Sequence, residues 1–142
     1  MPQLARTVAT LRVIGQDLDP GEITRLLGCR ADRAYARGDT IDADRRNQQT
    51  ARHGLWMIHA APREPGDLDG QIAELLARVT GDLDAWAAIR ARHRIDLFCG
   101  LFMSDLNEGL VVSAASLVAL GARGIELDLD VYGQMAPSTD VE

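Results

Sequence analysis

The sequence contains no lysine: all 15 of its basic residues are arginine. A phosphate cradle closing on Gly-Lys-Ser/Thr is therefore impossible, and neither a Gly-x-Gly-x-x-Gly turn nor a His-Glu-x-x-His helix occurs. Histidine is scarce. His53, His59 and His93 are the only three, none four residues from another, and His53 and His59 flank one expected strand, which sets them roughly 20 Å apart at about 3.3 Å per residue. They cannot share a metal unless that strand breaks. Cys29 and Cys99, the only two cysteines, lie far apart among apolar neighbours, as buried thiols do and as disulfide frameworks or zinc ligands do not. No metal or cofactor site is expected. No apolar run approaches the roughly 20 residues of a membrane span, and the opening MPQLARTVATLRV lacks the apolar core and cleavage site of a signal peptide. The expectation is a cytoplasmic protein without membrane contact.

What is present is an ordinary globular composition, 46% apolar and 25% charged over 142 residues, enough for a single domain with its own core. The net charge of −6 is unevenly spread. Residues 1 to 63 hold 10 arginines against 7 acids, and residues 64 to 142 hold 5 against 14, so the halves carry +3 and −9. An acidic total argues against a nucleic-acid partner, which needs a basic face to displace counterions.

Along the chain, RTVATLRVIG (6 to 15) alternates Thr7, Ala9, Leu11 and Val13 against Val8, Thr10, Arg12 and Ile14, and reads as a first strand. DLDPGEITRLLG then supplies Asp19 as cap, Pro20 at the first helical position and Gly28 as stop. Residues 30 to 52 hold six arginines and four aspartates with almost no large apolar residue, the composition of a long flexible loop. A strand is expected over HGLWMIH (53 to 59), and Ile72, Leu75, Leu76 and Val79 follow the spacing of one helix face. A further helix starts at the Asp82 cap and carries Trp86 and Ile89 inward. RIDLFCGLFMS (94 to 104), apolar on nearly both sides, reads as a central strand. Gly109 to Val112 suggests a short strand, Ser113 caps a helix through Leu117, Val118 and Leu120, and residues 134 to 142 look like a loose tail. This order of elements predicts an α+β fold: one domain with its core over residues 6 to 133, a mixed, mostly antiparallel sheet and helices packed on one face.

The segments LRVIGQDLDPGEITRLLG, RGD, GLWMI and LDLDVYG, in that order, resemble the bacterial family of uncharacterised function DUF4279 over about residues 8 to 133. The resemblance implies a small stand-alone α+β protein. It implies no activity and no cofactor.

The last expected strand carries the most pronounced chemistry. In GIELDLDVYG, Glu126, Asp128 and Asp130 alternate with Leu127, Leu129 and Val131, so three carboxylates share one side. Carboxylates two positions apart on a strand lie about 7 Å apart and repel by roughly 0.6 kcal/mol in water, or roughly 2.4 kcal/mol at an effective dielectric of 20. Such a stripe must be wet or met by arginine. Arg12 and the arginines of residues 30 to 52 are the available partners, and the expected arrangement is a polar sheet face partly covered by that loop, with Leu127, Leu129 and Val131 turned into the core. Trp56 has two readings. If Leu55 and Met57 face the helices, Trp56 and Ile58 give the other sheet face an apolar floor for a ligand or partner; alternatively Trp56 packs beneath the loop. Ser113 stands where a hydrolase nucleophile would, but the glycines of Gly-x-Ser-x-Gly are missing and helix capping accounts for it.

Two functional readings follow. In the first, the chain is a binding module, adaptor-like or immunity-like, that docks a protein with a cationic surface on Arg12, Trp56, Glu126, Asp128 and Asp130. In the second, it is a small enzyme with Asp128 or Asp130 as general base beside an arginine that holds an anionic substrate. No nucleophile–base pair or ligand cluster is legible, which favours binding and leaves the list of catalytic residues empty. An enclosed pocket joining Arg12, Asp128 and His59 would favour the enzyme, and an open acidic face the binder.

Overall fold

The computed structural model describes residues 3–41 and 49–133. The expected tail and part of the expected arginine-rich loop lie outside these residues.

Strand β1 (Arg6–Gly15) leads into α1 (Pro20–Leu27), and both ends of that helix are set locally. The Asp19 carboxylate accepts from the Gly21 N–H at 3.0 Å, and Gly28, at φ 68°, closes the helix in the left-handed region that a side chain would resist. The chain then forms β2 (Arg33–Tyr35), inside the stretch expected to be loop throughout. Its side chains are largely outside the core, so it has no apolar period to betray it. It exists because its backbone pairs with β3 (Gly54–His59), helped by Asp32 donating its N–H to the Met57 carbonyl. Helices α2 (Leu68–Arg78) and α3 (Leu83–Arg90) start at Asp67 and Asp82 caps, β4 runs Arg94–Phe102, α4 is Ala114–Ala122 behind its Ser113 cap, and β5 is Glu126–Tyr132. The strand expected over Gly109 to Val112 reduces to one bridge between Gln3 and Gly109.

The five strands form one sheet in the order β2-β3-β1-β4-β5. All neighbours are antiparallel except β4 and β5, which run parallel with α4 as the crossover between them. The architecture is the expected α+β layer of helices on one face of a mixed sheet. Thr7, Ala9, Leu11 and Val13 of β1 and Ile95, Leu97, Cys99 and Leu101 of β4 turn toward the helices, where Ile23, Leu27, Ile72, Leu75, Trp86 and Ile89 meet the apolar ones in one core. Each large apolar side chain buried there contributes about 1.5 to 3 kcal/mol. Polar groups on this side are answered: Gln71, fully buried, donates to the Thr7 and Ala61 carbonyls and accepts from the Thr7 hydroxyl, which fastens α2 to β1.

Trp56 belongs to this core, which corrects both readings of it. The residue opposite is Val13, a core-facing position, so Trp56 points toward the helices, fully buried, and its indole N–H donates to the Thr24 hydroxyl of α1 at 3.1 Å. It lies neither on the helix-free face nor, among the described residues, beneath the 30–52 segment. Leu55 and Met57 take the helix-free face instead.

Candidate functional site

Once one side of every strand is committed to the core, strict alternation assigns the other. The strand register then arranges the helix-free face in rows. One row runs Met57, Arg12, Asp96, Glu126; the next runs His59, Thr10, Phe98, Asp128; farther along come Val8, Gly100, Asp130 and then Arg6, Phe102, Tyr132. Glu126, Asp128 and Asp130 therefore share this face with Arg12, as the sequence suggested.

The centre of the face is an ion pair that the sequence reading passed over. Arg12 and Asp96 are register partners, and the guanidinium forks onto the carboxylate with Nε to Oδ1 at 2.8 Å and Nη2 to Oδ2 at 2.7 Å. Arg94 adds a third contact at 3.3 Å. Asp96 is only 1% exposed, and a buried carboxylate is tolerable only when paired like this. The hydrogen bonds to Asp96 raise the Arg12 pKa against the opposing effect of burial. Arg12 also lies over the Phe98 ring, 4.6 Å from its centre, a cation–π contact that adds to its anchoring. The available signal was the single acid inside the otherwise apolar run of β4, which required a cation from a neighbouring strand.

With its fork taken by Asp96, Arg12 reaches Asp128 only at 3.6 Å, and the Asp128 side chain stays 49% exposed. Asp130 accepts from the Tyr132 hydroxyl at 2.6 Å, a bond that raises the tyrosine pKa. Tyr132 in turn stacks on Phe102 with ring centres 4.7 Å apart, and Arg6 sits over Phe102. The stripe is thus largely wet, with Arg12 beside Asp128 and with Glu126 bordering an open cleft that Arg94 also lines. The expectation for its opposite side needs correction. Leu127 is half-buried, but Leu129 and Val131 are 47% and 57% exposed, because β5 is the sheet's edge and α4 covers it incompletely.

The 30–52 segment does not cover the stripe among the described residues. It borders a cleft of about 550 Å³ at the β3 side of the sheet, whose lining includes Arg12, Tyr35, Gln49, Thr50, Arg52 and His53. Asp128, Asp130 and His59 do not line it. His59 lies elsewhere on the face, with its Nδ1 3.0 Å from the Thr10 hydroxyl. Among the described residues no group of three His, Cys, Asp or Glu side chains is placed to hold a metal ion. The Cys99 thiol, buried on the core side, is pushed up to about 12 by burial, with Asp128 and Asp96 adding to the effect, so it stays protonated and inert. Ser113 is the cap it was read to be: its hydroxyl accepts from the Ser116 N–H at 3.1 Å. Cap and helix are further tied to α2 by Asp69, which accepts from the Ser113 N–H and the Ser116 hydroxyl. No described helix is long and apolar enough to cross a membrane.

No curated protein and no solved structure matches the chain at a significant level. Residues 5–134 match the family described as "Domain of unknown function (DUF4279)". That match runs from the first residues of β1 to the end of β5, and the chain belongs to the DUF4279 family.

Proposed function

We propose that the chain is a small cytoplasmic recognition protein, adaptor-like or immunity-like, that docks the cationic surface of another protein on the helix-free face of its sheet. One observation carries this reading: Glu126, Asp128 and Asp130 project together from an edge strand on the helix-free side, with Glu126 bordering an open cleft beside Arg94 and with Asp128 and Asp130 outside both that cleft and the one that holds Arg12. A like-charged stripe costs little while solvated and gains a partner when an oppositely charged surface arrives, so it serves encounter and orientation. The enzyme reading has less support, since a general base at Asp128 or Asp130 would stand away from the cleft that holds Arg12.

The test is capture from cell extract by wild type and by the Asp128→Asn, Asp130→Asn double variant, at low and high salt, read by mass spectrometry. A specific partner should be lost in the variant and lost at high salt, because the Debye length shrinks from about 10 Å at 0.1 M to about 3 Å at 1 M. Equal capture by both proteins, or none by either, removes the acidic face as a docking site.

A further inference from the structure

The outer edge of β5 has no partner strand among the described residues. The Tyr132 carbonyl accepts from the Met103 N–H on the β4 side. Backbone groups alternate sides along a strand, so those of Glu126, Asp128 and Asp130 also face β4, and those of Leu127, Leu129 and Val131 point outward, with no strand partner among the described residues. Sheet edges are usually blunted by proline, by a bulge or by an overlying helix or loop. This one holds unbroken register with β4 from Glu126 to Tyr132 and contains no proline. The neighbouring helix repeats the pattern. Whereas α1, α2 and α3 each carry acids and arginines, α4 has no charged residue and leaves Leu117 51% and Val118 70% exposed. An open backbone edge with exposed leucine and valine on β5, and exposed leucine and valine on the charge-free helix that packs against it, thus belong to neighbouring elements, and apolar exposure of this kind ordinarily marks an interface.

Resting on the recognition reading above, we infer that this side accepts an added strand: an extended segment of the partner protein, alternating basic and apolar residues, that pairs with β5 and continues the sheet. The charge pattern selects the occupant. In an antiparallel addition, side chains opposite Glu126, Asp128 and Asp130 fall in the closer, non-hydrogen-bonded pairs, where arginine or lysine meets a carboxylate. Side chains opposite Leu127, Leu129 and Val131 turn to the helix side and cover Leu129 and Val131. A second copy of this chain is disfavoured by the same pattern, since a two-fold pairing of β5 with itself sets carboxylate against carboxylate.

The probe is a capped peptide of about eight residues, an ordinary strand length, alternating arginine and valine. Two controls share its composition: one with the arginines and valines segregated into blocks, and one methylated on the amide nitrogens that would donate to β5. Binding is measured by titration calorimetry, and amide hydrogen exchange is followed at Leu127, Leu129 and Val131. The alternating peptide should bind, slow exchange at those three amides, and lose affinity about tenfold or more on methylation, as expected for two or three missing ladder hydrogen bonds. Equal binding of the methylated or segregated peptide would overturn strand addition while leaving docking on the acidic face intact. No binding of the alternating peptide, or a dimer of the chain that buries β5, would overturn it as well, and the face reading would then rest on its own capture experiment. A Leu129→Pro variant, with folding checked by its melting curve, should abolish binding with every carboxylate in place.

Discussion

At the scale of single residues, the Arg12–Asp96 pair sets the character of the exposed face and carries the sharpest energetic consequence. Asp96 is almost wholly buried and Arg12 is 23% exposed, so removing either partner leaves the other poorly matched. Arg12→Leu leaves Asp96 with only the longer Arg94 contact and should cost about 3 kcal/mol, the order found when one member of a buried pair is deleted. Replacing both by leucine should recover most of that loss, because desolvation of the carboxylate disappears with it. Urea unfolding of the two single variants and the double variant decides the matter; losses that simply add would mean the two residues are not energetically coupled. The pair also shows how a residue escapes a reading by pattern. A solitary aspartate in RIDLFCGLF looks like an interruption of an apolar strand until the neighbouring strand's register supplies Arg12.

At the scale of elements, the helices and long strands were legible because their signals are local. Asp19, Asp67, Asp82 and Ser113 each sit where a helix begins, and each accepts a hydrogen bond from the first turn. The face of β3 was not legible, since Leu55 and Met57 are as apolar as Trp56 and Ile58 and only the pairing with β1 distinguishes the two sets. β2 escaped because three mostly exposed residues held by backbone bonds have no hydrophobic period. The α4–β5 unit is tied to α2 through Asp69, whose carboxyl is held below its usual range, first by the Ser113 N–H and then by the Ser116 hydroxyl. A carboxyl depressed in this way stabilises the fold fully above its unfolded value, near 3.8, and loses that contribution as pH falls through the lower folded value. Asp69→Ala should therefore cost about 1 kcal/mol at neutral pH, the scale of one net hydrogen bond. The gap to wild type should narrow as the pH drops below about 4, where the unfolded chain's carboxyl takes up a proton that the native one still resists. Denaturation midpoints at neutral and acid pH test this, and an unchanged gap in acid would assign the loss to something other than the carboxylate.

At the scale of the whole molecule, strand order converts an unevenness of sequence into one of space. β1, β2 and β3 carry Arg6, Arg12 and Arg33 and no acid, while β5 carries Glu126, Asp128 and Asp130 and no arginine. Because β2, β3 and β1 lie together on one side of β4, and β5 on the other, the sheet grades from basic to acidic across its width. The sheet thus behaves as an electric dipole lying in its own plane, and a field would turn the molecule before any surface touched it. An anion-exchange resin supplies such a field. It should seize the β5 rim first and retain the protein longer than its total charge would require. Neutralising Asp128 and Asp130 should then shorten retention more than neutralising Asp82 and Asp84 at the start of α3, although both changes remove the same charge. Equal retention would mean that the resin senses only the sum. If the rim dominates, a charged surface in the cell meets the same handle, and the molecule arrives with β5 leading.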